Sequence, residues 1–82
     1  MKNFRDSEIQ KINNMNLEKI IEYANNNTDL LENNLNTDKR DIVFEIYKYA
    51  DLLNELQNDI TADSDDELNL LAVFKKLYIK LL

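Results

Sequence analysis

The apolar side chains of segment 38–60 repeat at helical spacing over more turns than those of any other part of the chain. They recur three and four residues apart, which is the pattern of a helix face buried against neighbours. The residues concerned are Ile42, Val43, Ile46, Tyr47, Tyr49, Ala50, Leu53, Leu56 and Ile60. A two-stranded coiled coil needs a narrower stripe, so this width predicts a long central helix that contacts two or more other helices.

Polar residues mark where the central helix is expected to begin. The hydroxyl of Thr37 can accept a backbone N–H of the first turn, so we predict Thr37 as the cap. Asp38 and Asp41 follow it, where negative charge suits the positive end of the helix dipole. The side opposite the apolar stripe is acidic and is expected to face water or a partner.

A second strong pattern predicts a C-terminal helix over about 65–81. Residues 64–67 match a capping box, in which the Ser64 hydroxyl accepts the amide N–H of Glu67 and the Glu67 side chain reaches back. The apolar positions of this helix are Leu68, Leu70, Leu71, Val73, Phe74, Leu77, Tyr78 and Leu81. Because four or five residues join it to the central helix, the two are expected to form an antiparallel hairpin.

Shorter patterns before the central helix predict further helices. Asp6 or Ser7 can cap a first helix that ends near 13–14, and Asn16 can cap a second over 17–24. The three asparagines at 25–27 are expected to end the second helix, because Asn tolerates the left-handed conformation that often terminates helices.

The next segment leaves two possibilities open. Thr28 and Asp29 can cap a third short helix, or the second and third segments are one bent helix. With no Gly and no Pro in 82 residues, tight hairpin turns are disfavoured, so a β-rich fold is not expected. The sequence thus predicts a single all-α domain, residues 1–82, with four to five helices packed around the central one.

Missing residue types exclude several function classes. The chain has no Cys and no His, so thiolate chemistry, the commonest zinc ligand and the commonest general base at neutral pH are all lacking. We therefore expect a non-enzymatic protein without metal or cofactor. No apolar run approaches the roughly 20 residues of a membrane span, and no signal peptide is evident. A cytoplasmic location and no membrane contact are expected.

Carboxylates dominate the segment 41–67 and make it the candidate partner-binding site. The net charge of −6 disfavours direct nucleic-acid binding, because phosphates would be repelled. Carboxylates one helical turn apart stand roughly 5 to 6 Å apart at their β-carbons, a spacing comparable with that of phosphates. The candidate residues are Asp41, Glu45, Asp51, Glu55, Asp59, Asp63, Asp65 and Asp66. The alternative interpretation is a solvated helix face.

These features suggest a small acidic inhibitor or regulator that binds another protein. Its sharpest form is a module that blocks a basic nucleic-acid-binding surface of a host enzyme, as nucleic-acid mimics do, including some anti-CRISPR proteins. Abundant Asn, Ile and Lys fit AT-rich codons, and so a phage, a plasmid or a low-GC bacterium as the source. The alternatives are an immunity or antitoxin protein that neutralises a toxin, and a self-assembling helical protein.

Three other features have simpler explanations or remain open. Residues 63–67 resemble a calcium loop in charge, but Leu68 and Phe74 stand where an EF-hand needs Gly and Glu. The lysines at 75, 76 and 80 fit dipole complementarity better than a membrane-surface helix. Surplus apolar positions belong either to the core or to an interface with a second copy or a target. They are Phe44, Leu52, Leu70 and Val73.

Overall fold

The computed structural model describes residues 4–59, 61 and 64–82, and every regular element in those ranges is a helix. There are five, namely α1 (Phe4–Asn13), α2 (Leu17–Asn26), α3 (Thr28–Asn33), α4 (Arg40–Gln57) and α5 (Ser64–Leu81). The predicted all-α bundle is confirmed. Its Cα atoms span 41 × 31 × 19 Å.

The two long helices form the centre of the bundle. Helix α4 packs against α5 and α2, while α1 packs against α5. Lys39, directly before α4, donates from Nζ to the carbonyl of Leu81 at the end of α5, over 3.1 Å. The start of one long helix therefore lies beside the end of the other, which confirms the antiparallel pairing.

The central helix is shorter than predicted at both ends. It begins at Arg40 because Thr37 ends the preceding turn: its hydroxyl donates to the carbonyl of Asn34 and accepts the N–H of Lys39. At the far end, the carboxylate of Asp59 accepts both the N–H and the hydroxyl of Thr61, at 2.9 and 2.6 Å, and this local turn takes the chain out of the helix. The predicted apolar position Ile60 lies outside the described residues.

Predicted starts of the other helices were correct at some positions and wrong at others. The side chain of Asn16 accepts the N–H of Lys19 at 2.9 Å, so the cap of α2 is confirmed. Helix α1 begins at Phe4, before the predicted caps Asp6 and Ser7, which makes that boundary wrong. The capping box of α5 depends on the side chain of Ser64, which lies outside the described part of the structure.

Asparagine side chains end three of the helices without any left-handed residue. The amide Nδ2 of Asn27, Asn34 and Asn58 each donates to the carbonyl four residues earlier, at 2.7, 2.8 and 3.1 Å. These carbonyls would otherwise lack a helical partner. Asn27 has φ −125°, and φ is negative at every described residue, so the predicted left-handed termination is wrong. The break at Asn27 makes α2 and α3 two separate helices.

The core takes at least one buried side chain from every helix, and aromatic rings lie at its centre. The ring of Tyr78 meets those of Tyr23 and Phe74 edge to face, with centroids 5.4 and 5.2 Å apart. The buried apolar residues are Ile12, Ile20, Tyr23, Leu31, Val43, Ile46, Leu53, Leu71, Phe74, Tyr78 and Leu81. The fold therefore depends on side chains that lie far apart in the sequence.

The hydroxyl of Tyr78 is buried and has no hydrogen-bond partner among the described residues. A buried polar group without a partner costs about 1–3 kcal/mol. Burial also raises the pKa of Tyr78, and the neighbouring Tyr23 and Tyr47 raise it further. The ionised side chain is thus excluded from the folded core.

We expect Tyr78→Phe to leave the free energy of unfolding unchanged or to raise it by about 1 kcal/mol, because it removes the unpartnered hydroxyl and keeps the ring contacts. Tyr78→Ala removes the ring as well and should cost about 3–5 kcal/mol. Urea unfolding measures both. A loss above about 1 kcal/mol for Tyr78→Phe would mean that the hydroxyl is bonded in solution.

The wild-type fold should lose stability as pH rises above about 10. The pKa of Tyr78 is raised in the folded state. The pKa of Tyr23 is raised as well, first by burial and then by the carboxylate of Glu8. The unfolded chain therefore releases these protons at lower pH, which favours unfolding. Urea midpoints measured from pH 8 to 11 should fall more steeply for the wild type than for Tyr78→Phe. Equal slopes would contradict this account.

Candidate partner-binding face of helix α4

The predicted acidic site divides into two groups in the structure. Asp41, Glu45, Asp51 and Glu55 are all exposed on α4. Asp59, Asp65 and Asp66 are also exposed, but they belong to the connection between α4 and α5 and to the first turn of α5. Asp63 lies outside the described residues.

The carboxylates of α4 do not form an unbroken row. At about 100° per residue, the four carboxylates spread over about 120° of the helix surface, with Glu45 at one edge and Asp51 at the other. Lys48 and Leu52 occupy the same side between Glu45 and Glu55, which are about 15 Å apart along the axis. The row therefore has two acidic ends separated by a cation and a half-buried leucine.

The α4 carboxylates are not neutralised within the chain. In the described structure the side-chain carboxylates of Asp41, Glu45, Asp51 and Glu55 take part in no hydrogen bond or ion pair. The ammonium of Lys48 instead lies 5.8 Å from the ring centroid of Tyr49. This side of α4 therefore keeps its negative charge available to a partner.

The acidic residues after α4 have local structural roles. The hydrogen bonds from the hydroxyl and the N–H of Thr61 hold the pKa of Asp59 below its usual value. Asp65 and Asp66 stand in the first turn of α5, where their charges favour the positive end of the helix dipole. These residues serve the turn and the helix start, as Asp41 does in the first turn of α4, whereas Glu45, Asp51 and Glu55 have no such role.

Two aromatic side chains are exposed beside the acidic row. Phe44 is 53% exposed and Tyr47 is 41% exposed, and Asp51 lies close to them on the helix surface. We call Asp41, Phe44, Glu45, Tyr47, Asp51 and Glu55 the outer face of α4. The sequence placed Tyr47 in the buried stripe, and that is wrong. Tyr47 lies at the edge of the stripe, where Val43 and Ala50 fill the contact, and its polar tip suits a half-open position.

The other surplus apolar positions are mixed. Leu52 and Leu70 are half-buried, whereas Val73 on α5 is exposed. Leu52 and Leu70 are therefore partly covered by the core, whereas Val73 and Phe44 are open to an interface. Phe44 remains the most exposed of the four, and it is the one beside unpaired carboxylates.

Elsewhere, the described surface offers little for chemistry. An open cleft of about 540 Å³ lies between α1 and α2, lined by Phe4, Lys11, Met15, Lys19 and Tyr23 among others. Within the described ranges no three acidic side chains converge into a metal-binding group. No helix in those ranges combines the length and the apolar character needed to cross a membrane. The outer face of α4 is the more distinctive feature.

If Phe44 packs on no other helix, Phe44→Ala should change the free energy of unfolding by no more than about 0.5 kcal/mol. Phe74→Ala is the matched control, because Phe74 is fully buried, and it should cost about 3–5 kcal/mol. Urea unfolding of the two variants measures the contrast. Similar losses for both would show that Phe44 contributes to the core.

A scan against protein-family models found no match to the chain. Searches of curated proteins and of solved structures found no significant match either.

Proposed function

We propose that the chain is a non-enzymatic protein-binding module, and that the outer face of α4 docks on a basic surface of another protein. The observation that carries the proposal is the placement of unpaired carboxylates beside two exposed aromatic rings. A single exposed apolar side chain is common on protein surfaces, so the proposal depends on Phe44 and Tyr47 lying together among these carboxylates.

The two kinds of residue would contribute differently to binding. Aromatic side chains are common anchors at the centre of protein interfaces, where they remove apolar area from water. Charged groups around them increase the association rate by long-range attraction and select a partner of opposite charge. Phe44 and Tyr47 are therefore the proposed anchors, with Glu45, Asp51 and Glu55 at the rim.

The partner that fits best is a protein whose exposed surface binds nucleic acid. Such surfaces carry clustered Lys and Arg that meet phosphates, and carboxylates on a helix can replace the phosphates. The net charge of −6 favours approach to such a surface. Occupying it would exclude the nucleic acid, so the proposed outcome is inhibition or regulation in the cytoplasm of the host cell.

The proposal is tested by reversing charge at two matched places. One variant carries Glu45→Lys, Asp51→Lys and Glu55→Lys on the outer face of α4. The control carries the same net change at exposed carboxylates on α2 and α3, as Glu18→Lys, Asp29→Lys and Glu32→Lys. Partners are captured from lysate of the source cell at low and moderate salt, identified by mass spectrometry, and then purified for titration.

We expect the α4 variant to weaken the purified partner's affinity by about 100-fold, because charge repulsion replaces attraction at the interface. The control should lose only the few-fold effect of reduced net charge, and wild-type binding should weaken as salt rises. Equal losses for both variants would show that only net charge matters. Unchanged binding of the α4 variant would exclude this face as the site.

Self-association is the second candidate, and it has its own observation. Phe4, Phe44, Leu68 and Val73 are exposed on three different helices, which is more apolar surface than one docking face needs. Light scattering across a dilution series tests it. A mass that falls on dilution supports assembly, and a constant monomer mass excludes it.

An immunity or antitoxin role would use the same α4 face, and a toxin gene next to this one would favour it.

A further inference from the structure

We propose that α1 acts as a strap, which opens as a unit while the α4–α5 hairpin stays folded and thereby uncovers the aromatic cluster at Tyr23 and Tyr78. This is a conformational property of the bundle, and it does not rest on the proposed α4 interface. Three independent observations carry it: the small apolar contact of α1, the nature of its polar contacts, and the separate capping of α2.

Helix α1 buries little of its own surface. Ile12 is its one fully buried side chain, Glu8 and Ile9 are half-buried, and Phe4 is 77% exposed. The open cleft between α1 and α2 further limits contact on that side. By contrast, α5 buries four apolar side chains in the same core. Elements with few buried apolar contacts open at lower free energy than the rest of a domain.

Among the polar contacts that hold α1 in place are two that water can replace. The hydroxyl of Tyr23 donates to Oε2 of Glu8 over 3.3 Å, and Nζ of Lys75 donates to the carbonyl of Asn13 over 3.2 Å. Glu8 and Lys75 are half-buried at the protein surface. When these two hydrogen bonds break on opening, no charged group is left unpaired inside the core.

The remainder of the bundle does not need α1 in order to keep its helices. Helix α2 begins with its own cap, in which Asn16 accepts the N–H of Lys19. Residues 14–16 connect α1 to α2 and belong to neither helix, so α1 can pivot on them without unwinding its neighbour. Opening would also bring water closer to Tyr78, whose buried hydroxyl lacks a partner in the closed form.

Amide hydrogen exchange of the full chain, measured by NMR at several urea concentrations below the unfolding transition, tests the strap. A ten-residue helix is too short to persist once undocked, so opening exposes its amides. We expect the amides of residues 8–13 to exchange about 100-fold faster than those near Leu53 and Tyr78, with rates that depend little on urea. Equal rates and equal urea dependence would overturn the proposal.

A pair of variants makes the test independent of overall stability. Ile46→Val weakens the core on α4, so it should speed exchange near Leu53 and Tyr78 about fivefold while leaving residues 8–13 unchanged. Glu8→Ala should speed exchange in α1 about fivefold, whereas Glu8→Gln keeps an oxygen acceptor for Tyr23 and should resemble the wild type. If Ile46→Val speeds α1 by the same factor as the core, α1 opens only with the whole fold.

Discussion

The contact of Tyr78 with Tyr23 and Phe74 is the interaction on which the rest of the structure depends. It joins the C-terminal helix to α2, two elements that are more than 35 residues apart in sequence. A chain of 82 residues buries only about 60 to 65% of its unfolded surface, so a few large rings account for much of its apolar burial. A tyrosine at that centre also has an unfavourable effect, because the buried hydroxyl of Tyr78 has no hydrogen-bond partner among the described residues.

The central helix serves two purposes on opposite sides. Val43, Ile46 and Leu53 pack into the core and hold α4 against α2 and α5. The opposite side carries carboxylates without partners and two exposed aromatic rings. Because the first side fixes the helix in place, the second can present a stable surface to another protein, and this division underlies the proposed function.

Patterns that repeat over several turns could be predicted from the sequence. The apolar stripe that includes Ile46 and Leu53 predicted the central helix and its buried side. The short link to the final helix predicted the antiparallel pairing of the two. The cap at Asn16 was also predictable, since its geometry involves only three neighbouring residues. The acidic positions could be predicted as exposed, and the helical pattern also placed Lys48 among them and Leu52 off the apolar stripe.

Features that depend on competing local bonds or on tertiary cover could not be predicted. Thr37 uses its hydroxyl in the turn before α4, and the carboxylate of Asp59 accepts a hydrogen bond from Thr61. Helix α4 is therefore shorter than predicted at both ends. Asn27 caps its helix by a side-chain bond where a left-handed backbone was expected. Tyr47 fits either a buried or a half-open position, and only the packing of its neighbours decides between them.

A two-dimensional NOE spectrum of the aromatic protons tests the central claim most directly, because it reports both the core and the outer face in one measurement. The structure predicts cross-peaks from the ring of Tyr78 to the rings of Tyr23 and Phe74. It also predicts fewer cross-peaks to other helices from the half-exposed ring of Phe44 than from the buried ring of Phe74. As many such cross-peaks from Phe44 as from Phe74, or no cross-peak between Tyr23 and Tyr78, would contradict this account.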